Sequence, residues 1–253
     1  MKLHQIRNAT IILEYAGKRF LIDPMFAPEK EYSLMSEIPW PLHNLPLPAK
    51  DIIKNIDAVV ITHLHTDHFD KYAQEILPKG IKIFVQDIFD KHALEKEHFN
   101  NTETVTAEGV DFDGVWIFKT DCRHGAKENS EYLFLANGMR WEAMGVVFKS
   151  ENEPVLYLAG DTIWYEGVKE AVDRHNPKVI VLNCDDARIG RSGSLTMGIE
   201  DVKALHEYYP DGKLIASHMN CVGNGTVTRM SLRESDVKDY IYSPADGEIM
   251  FPE

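Results

Sequence analysis

The chain has 253 residues, of which 44% are hydrophobic and 26% charged, so it can bury a substantial core. A formal net charge of −13 argues against general nucleic-acid binding, because phosphate backbones are held by basic surfaces. No apolar run approaches the roughly 18 residues of a membrane span. Three cysteines without C-x-x-C spacing favour free thiols in a reducing compartment. We therefore expect a cytoplasmic protein with a single domain over residues 1–253.

The predicted elements of the first half are strands and helices interrupted by one long loop. In chain order they are a hairpin over residues 9–24, a loop over 27–50, a strand over 56–62, a helix over 67–77, a strand over 81–86 and a helix over 88–99. The loop contains five prolines, which forbid a long helix or a central strand. Loops of this length inside a compact domain are usually functional.

The second half has more strands. The predicted elements are strands within residues 103–122, an irregular stretch over 124–144, strands over 144–150 and 154–160, a helix over 165–174, a strand over 178–183, a loop over 184–195, a helix over 197–209 and a strand over 213–217. Strands joined by hairpins, with a few helices, predict sheets that pack together and are covered by helices.

Potential metal ligands are concentrated directly after the predicted strand 56–62. The segment H-L-H-T-D-H contains His63, His65, Asp67 and His68. The first two histidines are two residues apart at a strand end, so their side chains share one face. The aspartate and the third histidine lie where the chain enters the next helix. Imidazole and carboxylate suit Zn, Fe, Mn or Ni, so the segment predicts half of each of two neighbouring metal sites.

Three further candidate ligands follow extended apolar stretches elsewhere in the chain. They are His124, Asp161 and His218. Loops at strand ends are where a rigid scaffold presents functional groups. We predict that His124 completes the first site, that His218 completes the second, and that Asp161 bridges the two. Residues 184–186 also end a strand and are a further candidate group.

The order of these motifs, H-x-H-x-D-H, then His, then G-D-T, then S-H, resembles the metallo-β-lactamase-fold hydrolase superfamily. Segments over residues 8–24, 158–172, 195–205 and 217–229 are similar to its ascorbate-phosphate lactonase-like branch, and the resemblance runs from about residue 5 to residue 235. It implies an α+β fold, a four-layer αβ/βα sandwich with the metal site at one edge of the two β-sheets.

The resemblance also implies roles for two aspartates. Asp161 bridges the ions, and Asp23 supports the ligand loops without binding metal. Asp161 stands where some true β-lactamases have a cysteine, which disfavours a role in antibiotic resistance.

Two divalent ions in such a site would activate water. They lower the pKa of a shared water towards ~7 and present hydroxide at neutral pH. Zinc is the expected metal, with manganese or iron as alternatives, and Asp67 is a candidate to assist proton transfer. Because the ions keep the centre positive, we expect a metallohydrolase acting on a small anionic ester, lactone or phosphoester. Arg188 and Arg191 are candidates to bind that anion, and Arg123 and Arg140 lie in neighbouring loops.

Three alternatives remain open from the sequence. The first is a phosphodiesterase or nuclease of the same fold, which the acidic charge disfavours. The second is di-iron redox chemistry, although that enzyme type usually has a flavin domain. The third is a metal-binding protein without turnover. The expected partner is a small-molecule substrate, with no nucleic acid and no membrane, and a homo-oligomer is compatible with the sequence.

Overall fold

Short strands rich in β-branched and aromatic residues make up most of the fold, which is a computed structural model. The structure describes residues 1–33, 36, 38–125, 140–189 and 193–252. The strands before the midpoint are β1 (Lys2–Arg7), β2 (Thr10–Tyr15), β3 (Lys18–Ile22), β4 (Ala58–Ile61), β5 (Lys82–Val85), β6 (Thr102–Thr104), β7 (Val110–Phe112) and β8 (Val115–Asp121). Those after it are β9 (Met144–Ser150), β10 (Glu153–Leu158), β11 (Val179–Asn183), β12 (Lys213–Ser217), β13 (Ile241–Tyr242) and β14 (Ile249–Met250).

These strands form two mixed sheets, each of seven strands within the described residues. Sheet 1 has the order β14-β1-β2-β3-β4-β5-β6, and sheet 2 has the order β13-β12-β11-β10-β9-β8-β7. Strands β3 to β6 are parallel in sheet 1. Strands β10 to β13 are parallel in sheet 2, and β8 runs in the same direction because it is antiparallel to β9, which is antiparallel to β10. The carboxyl ends of β3, β4, β8, β10, β11 and β12 are therefore available to carry functional loops.

The core between the sheets is apolar and partly aromatic. Phe20 of β3 and Phe148 of β9 pack edge to face with ring centroids 5.2 Å apart. Val60 of β4 and Val181 of β11 belong to the same buried cluster. All four residues of β4 are buried, since both faces of its sheet are covered.

Helices cover the outer face of each sheet. They are α1 (Ala49–Ile52), α2 (Lys71–Ile76), α3 (Ile88–Lys96), α4 (Glu166–His175), α5 (Ile199–Tyr208) and α6 (Arg229–Glu234). Ala73 of α2 and Leu94 of α3 pack in one cluster with β4 and β5, while Val172 of α4 and Leu205 of α5 pack in another with β11 and β12. The predicted four-layer α+β sandwich is confirmed. No helix in the described part of the chain is long and apolar enough to cross a membrane.

The hairpin predicted over residues 9–24 is confirmed as β2 and β3, and the helix predicted over 165–174 as α4. The helix predicted over 67–77 was placed too early, because α2 starts at Lys71. Asp70 is its N-cap and accepts a hydrogen bond from the Ala73 N–H. Strands β1, β13 and β14 and helices α1 and α6 were not predicted. Of the predicted irregular stretch 124–144, residues 126–139 lie outside the described residues, as do 34, 35 and 37 of the loop 27–50.

Candidate metal centre

The predicted ligands all follow the carboxyl ends of strands, and these ends meet at one edge of the two sheets. His63, His65, Asp67 and His68 follow β4 of sheet 1. The ligand candidates from sheet 2 follow β8, β10 and β12, and they are His124, Asp161 and His218. The site is thus formed by both sheets, which is why residues distant in sequence can lie together.

The first cluster is His63, His65 and His124, whose potential ligand atoms all lie within 4.8 Å of one another. Ring centroids are 4.4 Å apart for His63 and His65, and 5.2 Å apart for His65 and His124. All three side chains are buried. The structure therefore brings together the three histidines that were predicted to hold one ion.

The second cluster is Asp67, His68 and His218. His218 Nε2 lies 3.0 Å from Asp67 Oδ2 and 3.2 Å from His68 Nε2. His68 Nε2 is 3.7 Å from Asp67 Oδ2. The structure thus also brings together the three residues that were predicted to hold the second ion.

Asp161 lies between the two clusters. Its Oδ2 atom is 3.3 Å from His68 Nε2, 3.5 Å from His124 Nε2 and 3.9 Å from His63 Nε2. Its Oδ1 atom is 3.9 Å from His218 Nε2. One carboxylate thereby faces histidines of both clusters, which is the position that a bridging ligand requires.

Hydrogen bonds to the ring nitrogens orient the histidines of the first cluster. His65 Nε2–H donates to the Arg140 carbonyl at 2.6 Å, and His124 Nδ1–H donates to the Leu195 carbonyl at 2.9 Å. His63 Nδ1 lies 3.1 Å from Thr62 Oγ1. These contacts leave Nδ1 of His65 and Nε2 of the other two free to bind a metal.

Carboxylates orient the histidines of the second cluster. His68 Nδ1–H donates to Asp23 Oδ2 at 2.9 Å, and His218 Nδ1 lies 3.2 Å from Asp185 Oδ2. Asp23 is itself held by the Thr62 backbone N–H at 2.7 Å and by the Thr62 hydroxyl at 2.8 Å. The supporting role expected for Asp23 agrees with this geometry.

The residues present fit two divalent metal ions. His63 Nε2 is buried and has no hydrogen-bond partner in the described structure, although it faces the other candidate ligands. A buried polar atom without a partner is costly unless a ligand satisfies it. The donors are imidazole nitrogens and carboxylate oxygens, which suit zinc, manganese or iron.

The electrostatics differ between the clusters. Burial, together with the neighbouring imidazoles, holds the pKa of His63 well below its ordinary value and lowers that of His65 to about 4, so both rings are neutral. At His68 burial acts in the same direction, but the carboxylates of Asp161, Asp23 and Asp67 outweigh it and raise the pKa to about 10. A cation is therefore strongly favoured within the second cluster.

Comparison with known proteins identifies the family. The model of the beta-lactamase superfamily domain matches residues 18–219. The chain belongs to the β-lactamase superfamily. This superfamily protein is 40% identical to the UPF0173 protein YddR of Bacillus subtilis (strain 168), with 98% of each chain covered.

Two solved structures resemble this chain over nearly its whole length. An isothiocyanate hydrolase from Delia radicum gut bacteria matches with a TM-score of 0.92 and 38% identity, covering 99% of both chains. A possible metal-dependent hydrolase from Veillonella parvula DSM 2008 matches with a TM-score of 0.91 and 33% identity, covering 99% of this chain and 98% of the other. The chain described here is accordingly a metal-dependent hydrolase of the metallo-β-lactamase fold.

A narrow cavity of about 20 Å³ adjoins the candidate metal ligands of this chain. Its other lining residues include Trp141, Ala187, Ile189, Leu195 and Asn224. The three aliphatic side chains and the indole make this wall largely apolar.

The arginines predicted to bind an anion have other partners where the structure describes them. Arg188 donates to the Asp186 carboxylate at 2.9 Å, and Arg140 donates to Asp87 at 2.7 Å. The Arg123 guanidinium lies over the Tyr165 ring. Arg191 lies outside the described residues. Their role in substrate binding stays a prediction.

Two buried polar residues that support the site were not predicted as site residues. Asn183 Nδ2 donates to Asp161 Oδ1 at 2.7 Å, and Asp185 lies behind the His218 ring. Both follow the pattern used to find the ligands, since Asn183 ends β11 and Asp185 follows it. Residues 184–186 were noted as a further candidate group, and Asp185 is the member that faces a ligand.

Proposed function

We propose that this β-lactamase superfamily protein binds two divalent metal ions, zinc by preference, and hydrolyses isothiocyanates, R–N=C=S. The observation that carries the substrate class is the 38% identity, over 99% of both chains, to an isothiocyanate hydrolase. The reaction consumes one water and yields an amine, R–NH₂, and carbonyl sulfide.

The candidate ligands would supply the metal chemistry. When bound, two divalent ions provide Lewis acidity and lower the pKa of a water towards neutrality. The chain holds the ligand atoms in place through Asp23, Asn183 and Asp185 and excludes bulk water by burying His63 and Asp161.

Asp67 is suited to proton transfer. Its side chain is 16% exposed, whereas that of Asp161 is 3% exposed, and it borders the cavity. Burial disfavours its charge, but the imidazoles of His68 and His218 outweigh burial and hold the pKa of Asp67 below its ordinary value. The lowered pKa keeps Asp67 ionised at neutral pH, and we assign to it the transfer of one water proton to the substrate nitrogen during the addition.

The apolar wall beside the ligands favours a neutral substrate over the anionic ester, lactone or phosphoester expected from the sequence. Trp141, Ala187 and Leu195 form one buried apolar cluster at this wall. Arg188, which is the described arginine of the predicted anion site, is paired with the Asp186 carboxylate. An isothiocyanate carries no charge and has a linear reacting group, which suits a narrow apolar approach.

The test begins with elemental analysis of the purified protein, followed by a substrate panel. The panel contains allyl and benzyl isothiocyanate, a lactone, a carboxylate ester and a phosphodiester, and product release is measured with two equivalents of metal bound. We expect amine release from the isothiocyanates at the highest kcat/KM. Preference for the lactone, ester or phosphodiester would contradict the substrate assignment, and no turnover on any member would support a metal-binding protein instead.

A ligand variant separates metal chemistry from other hydrolysis. His63→Ala removes a buried imidazole of the first cluster and should lower kcat/KM by at least about 100-fold, because metal catalysis contributes several kcal/mol. His92→Ala, at an exposed position of α3, is the matched control and should retain wild-type activity. A fully active His63→Ala variant would overturn the mechanism.

A further inference from the structure

Trp141 presents an unsatisfied polar atom at the candidate metal centre. Its ring centroid lies 4.8 Å from those of both His65 and His124. The residue is only 5% exposed, and its Nε1 atom is buried without a hydrogen-bond partner among the described residues. An indole N–H normally finds an acceptor when it is buried, because an unmade hydrogen bond costs about 1–3 kcal/mol. A substrate atom in the cavity would supply that acceptor.

Asn224 presents a second such atom at the same cavity. It lines the cavity together with Trp141, and its Oδ1 atom is buried without a hydrogen-bond partner in the described part of the chain. Its backbone carbonyl accepts a hydrogen bond from the Arg188 N–H at 3.0 Å, so the main chain is fixed there. One wall of the cavity thus offers a donor and an acceptor that have no partner within the described residues.

We propose that the Trp141 indole N–H and the Asn224 carboxamide bind the reacting –N=C=S group and make the protein specific for it. The proposal rests on the proposed function and adds the residues that recognise its substrate. The indole donates to the sulfur, and the carboxamide oxygen accepts from the nitrogen once that nitrogen carries a proton. The apolar side chains of Ala187 and Leu195 line the same cavity and form a buried cluster with Trp141.

The chemistry of the reaction requires both contacts at different stages. Water adds to the central carbon: its oxygen bonds to that carbon, one of its protons passes to the nitrogen, and the other passes to the sulfur. The resulting thiocarbamic acid, R–NH–C(=O)–SH, then loses its C–N bond as the S–H proton moves to nitrogen, which releases the amine and carbonyl sulfide. Negative charge develops on sulfur during the addition, and a fixed N–H donor stabilises it most in the transition state.

Trp141→Phe is the direct test, because it retains an aromatic ring against His65 and His124 and removes only the N–H donor. Benzyl isothiocyanate is the probe, and kcat is expressed per bound metal ion. We expect kcat to fall by about 10- to 100-fold while KM changes by less than about threefold, since the lost contact acts in the transition state. Trp116→Phe, in β8 and 45% exposed, is the matched control and should behave as wild type.

Asn224→Ala gives an independent reading that does not depend on how the Trp141 variant folds. It should lower kcat per bound metal by about 10-fold, whereas Asn152→Ala in the exposed turn before β10 should not.

Three outcomes would overturn the proposal. A purely structural role for Trp141 predicts lost metal with an unchanged kcat per bound ion. Wild-type kcat in both variants would contradict substrate recognition by this wall and leave the proposed function intact. Wild-type protein that releases no amine would overturn both proposals.

Discussion

Two carboxylates lie behind imidazoles of the second ligand cluster, Asp23 behind His68 and Asp185 behind His218. A carboxylate in this position fixes the tautomer of the ring and raises the basicity of the nitrogen that faces the metal. The two aspartates follow β3 in sheet 1 and β11 in sheet 2. Each sheet thus contributes one orienting carboxylate to the same cluster.

Asp185→Asn should weaken metal binding without unfolding the protein. The amide keeps the size of the carboxylate and can still accept the hydrogen bond from Thr196 Oγ1, which is 2.7 Å long, but it loses the charge beside His218. Loss of such an orienting group typically costs about 10- to 100-fold in metal affinity. Chelator competition at pH 7.5 measures it, with Asp211→Asn at an exposed position as the control. Equal affinities for the two variants would show that Asp185 does not orient His218.

Gly160 positions the bridging carboxylate at Asp161. Its φ of +68° is strained for other residues, and a Cβ there would lie 2.5 Å from the Met144 carbonyl oxygen. Gly160→Ala should therefore lower the free energy of unfolding by about 1–3 kcal/mol and reduce metal content, because the backbone must shift beside a ligand. Urea denaturation and elemental analysis test this. Gly80→Ala, where a Cβ meets nothing within 4 Å, is the control. An unchanged metal content would contradict the positioning role.

The sequence pattern found the members of the candidate metal clusters more readily than the residues that support them. All seven predicted ligands belong to the candidate metal clusters, because a polar residue directly after a buried strand is visible as a pattern. Which of two adjacent aspartates faces His218 depends on the path of the loop. Asp185 turns towards the ring, whereas Asp186, with a φ of +48°, pairs with Arg188. Such a choice is made by backbone dihedral angles that the pattern does not reveal.

At the scale of elements, the loop after β3 depends on one buried cation. Arg7 at the end of β1 is 0% exposed and donates to the carbonyls of His43, Met25 and Ala27 at 2.7, 3.0 and 2.9 Å. These carbonyls belong to the proline-rich loop between β3 and α1, where each proline lacks a backbone N–H. A single guanidinium therefore replaces the hydrogen bonds that a regular element would have supplied.

Arg7→Met should destabilise the fold by about 2–4 kcal/mol, because methionine fills much of the volume but leaves several buried carbonyls without donors. The free energy of unfolding in urea is the measurement. Arg174→Met removes an exposed guanidinium that donates to one carbonyl, that of Ala107, and should change stability by less than about 1 kcal/mol. A loss of similar size in both variants would indicate that the buried carbonyls find other partners.

The same residue explains why β1 was not predicted as a strand. Its sequence K-L-H-Q-I-R places Gln5 and Arg7 at positions that are fully buried, which contradicts the usual alternation of apolar and polar residues. Gln5 donates to the Asn8 carbonyl, and the two terminal nitrogens of Arg7 donate to loop carbonyls, so both side chains are tolerated in the interior. The hairpin of β2 and β3 has no such polar residues in its apolar runs, and the sequence pattern identified it correctly.

At the scale of the whole molecule, the candidate metal centre joins the two sheets. His63, His65, Asp67 and His68 follow β4 of sheet 1, whereas His124, Asp161 and His218 follow strands of sheet 2. Both clusters contain candidate ligands from both sheets, and so does the group formed by His63, His68 and Asp161. Ions bound there would act as cross-links at one edge of the sandwich, and they would stabilise the folded state because the unfolded chain does not assemble the clusters.

Removing the metal should consequently lower the stability of the whole fold and not only abolish activity. At a free metal concentration of 1,000 times Kd, one site contributes about 4 kcal/mol, which corresponds to roughly 10 °C in Tm for a chain of this size. Thermal unfolding before and after dialysis against a chelator measures this loss, and added zinc should restore Tm. His124→Ala, which lacks one candidate ligand of the first cluster, should lose less in Tm on chelation than the wild type. If chelation left Tm unchanged while removing the metal, the ions would contribute to catalysis alone, and the sheets would be held together by their apolar core.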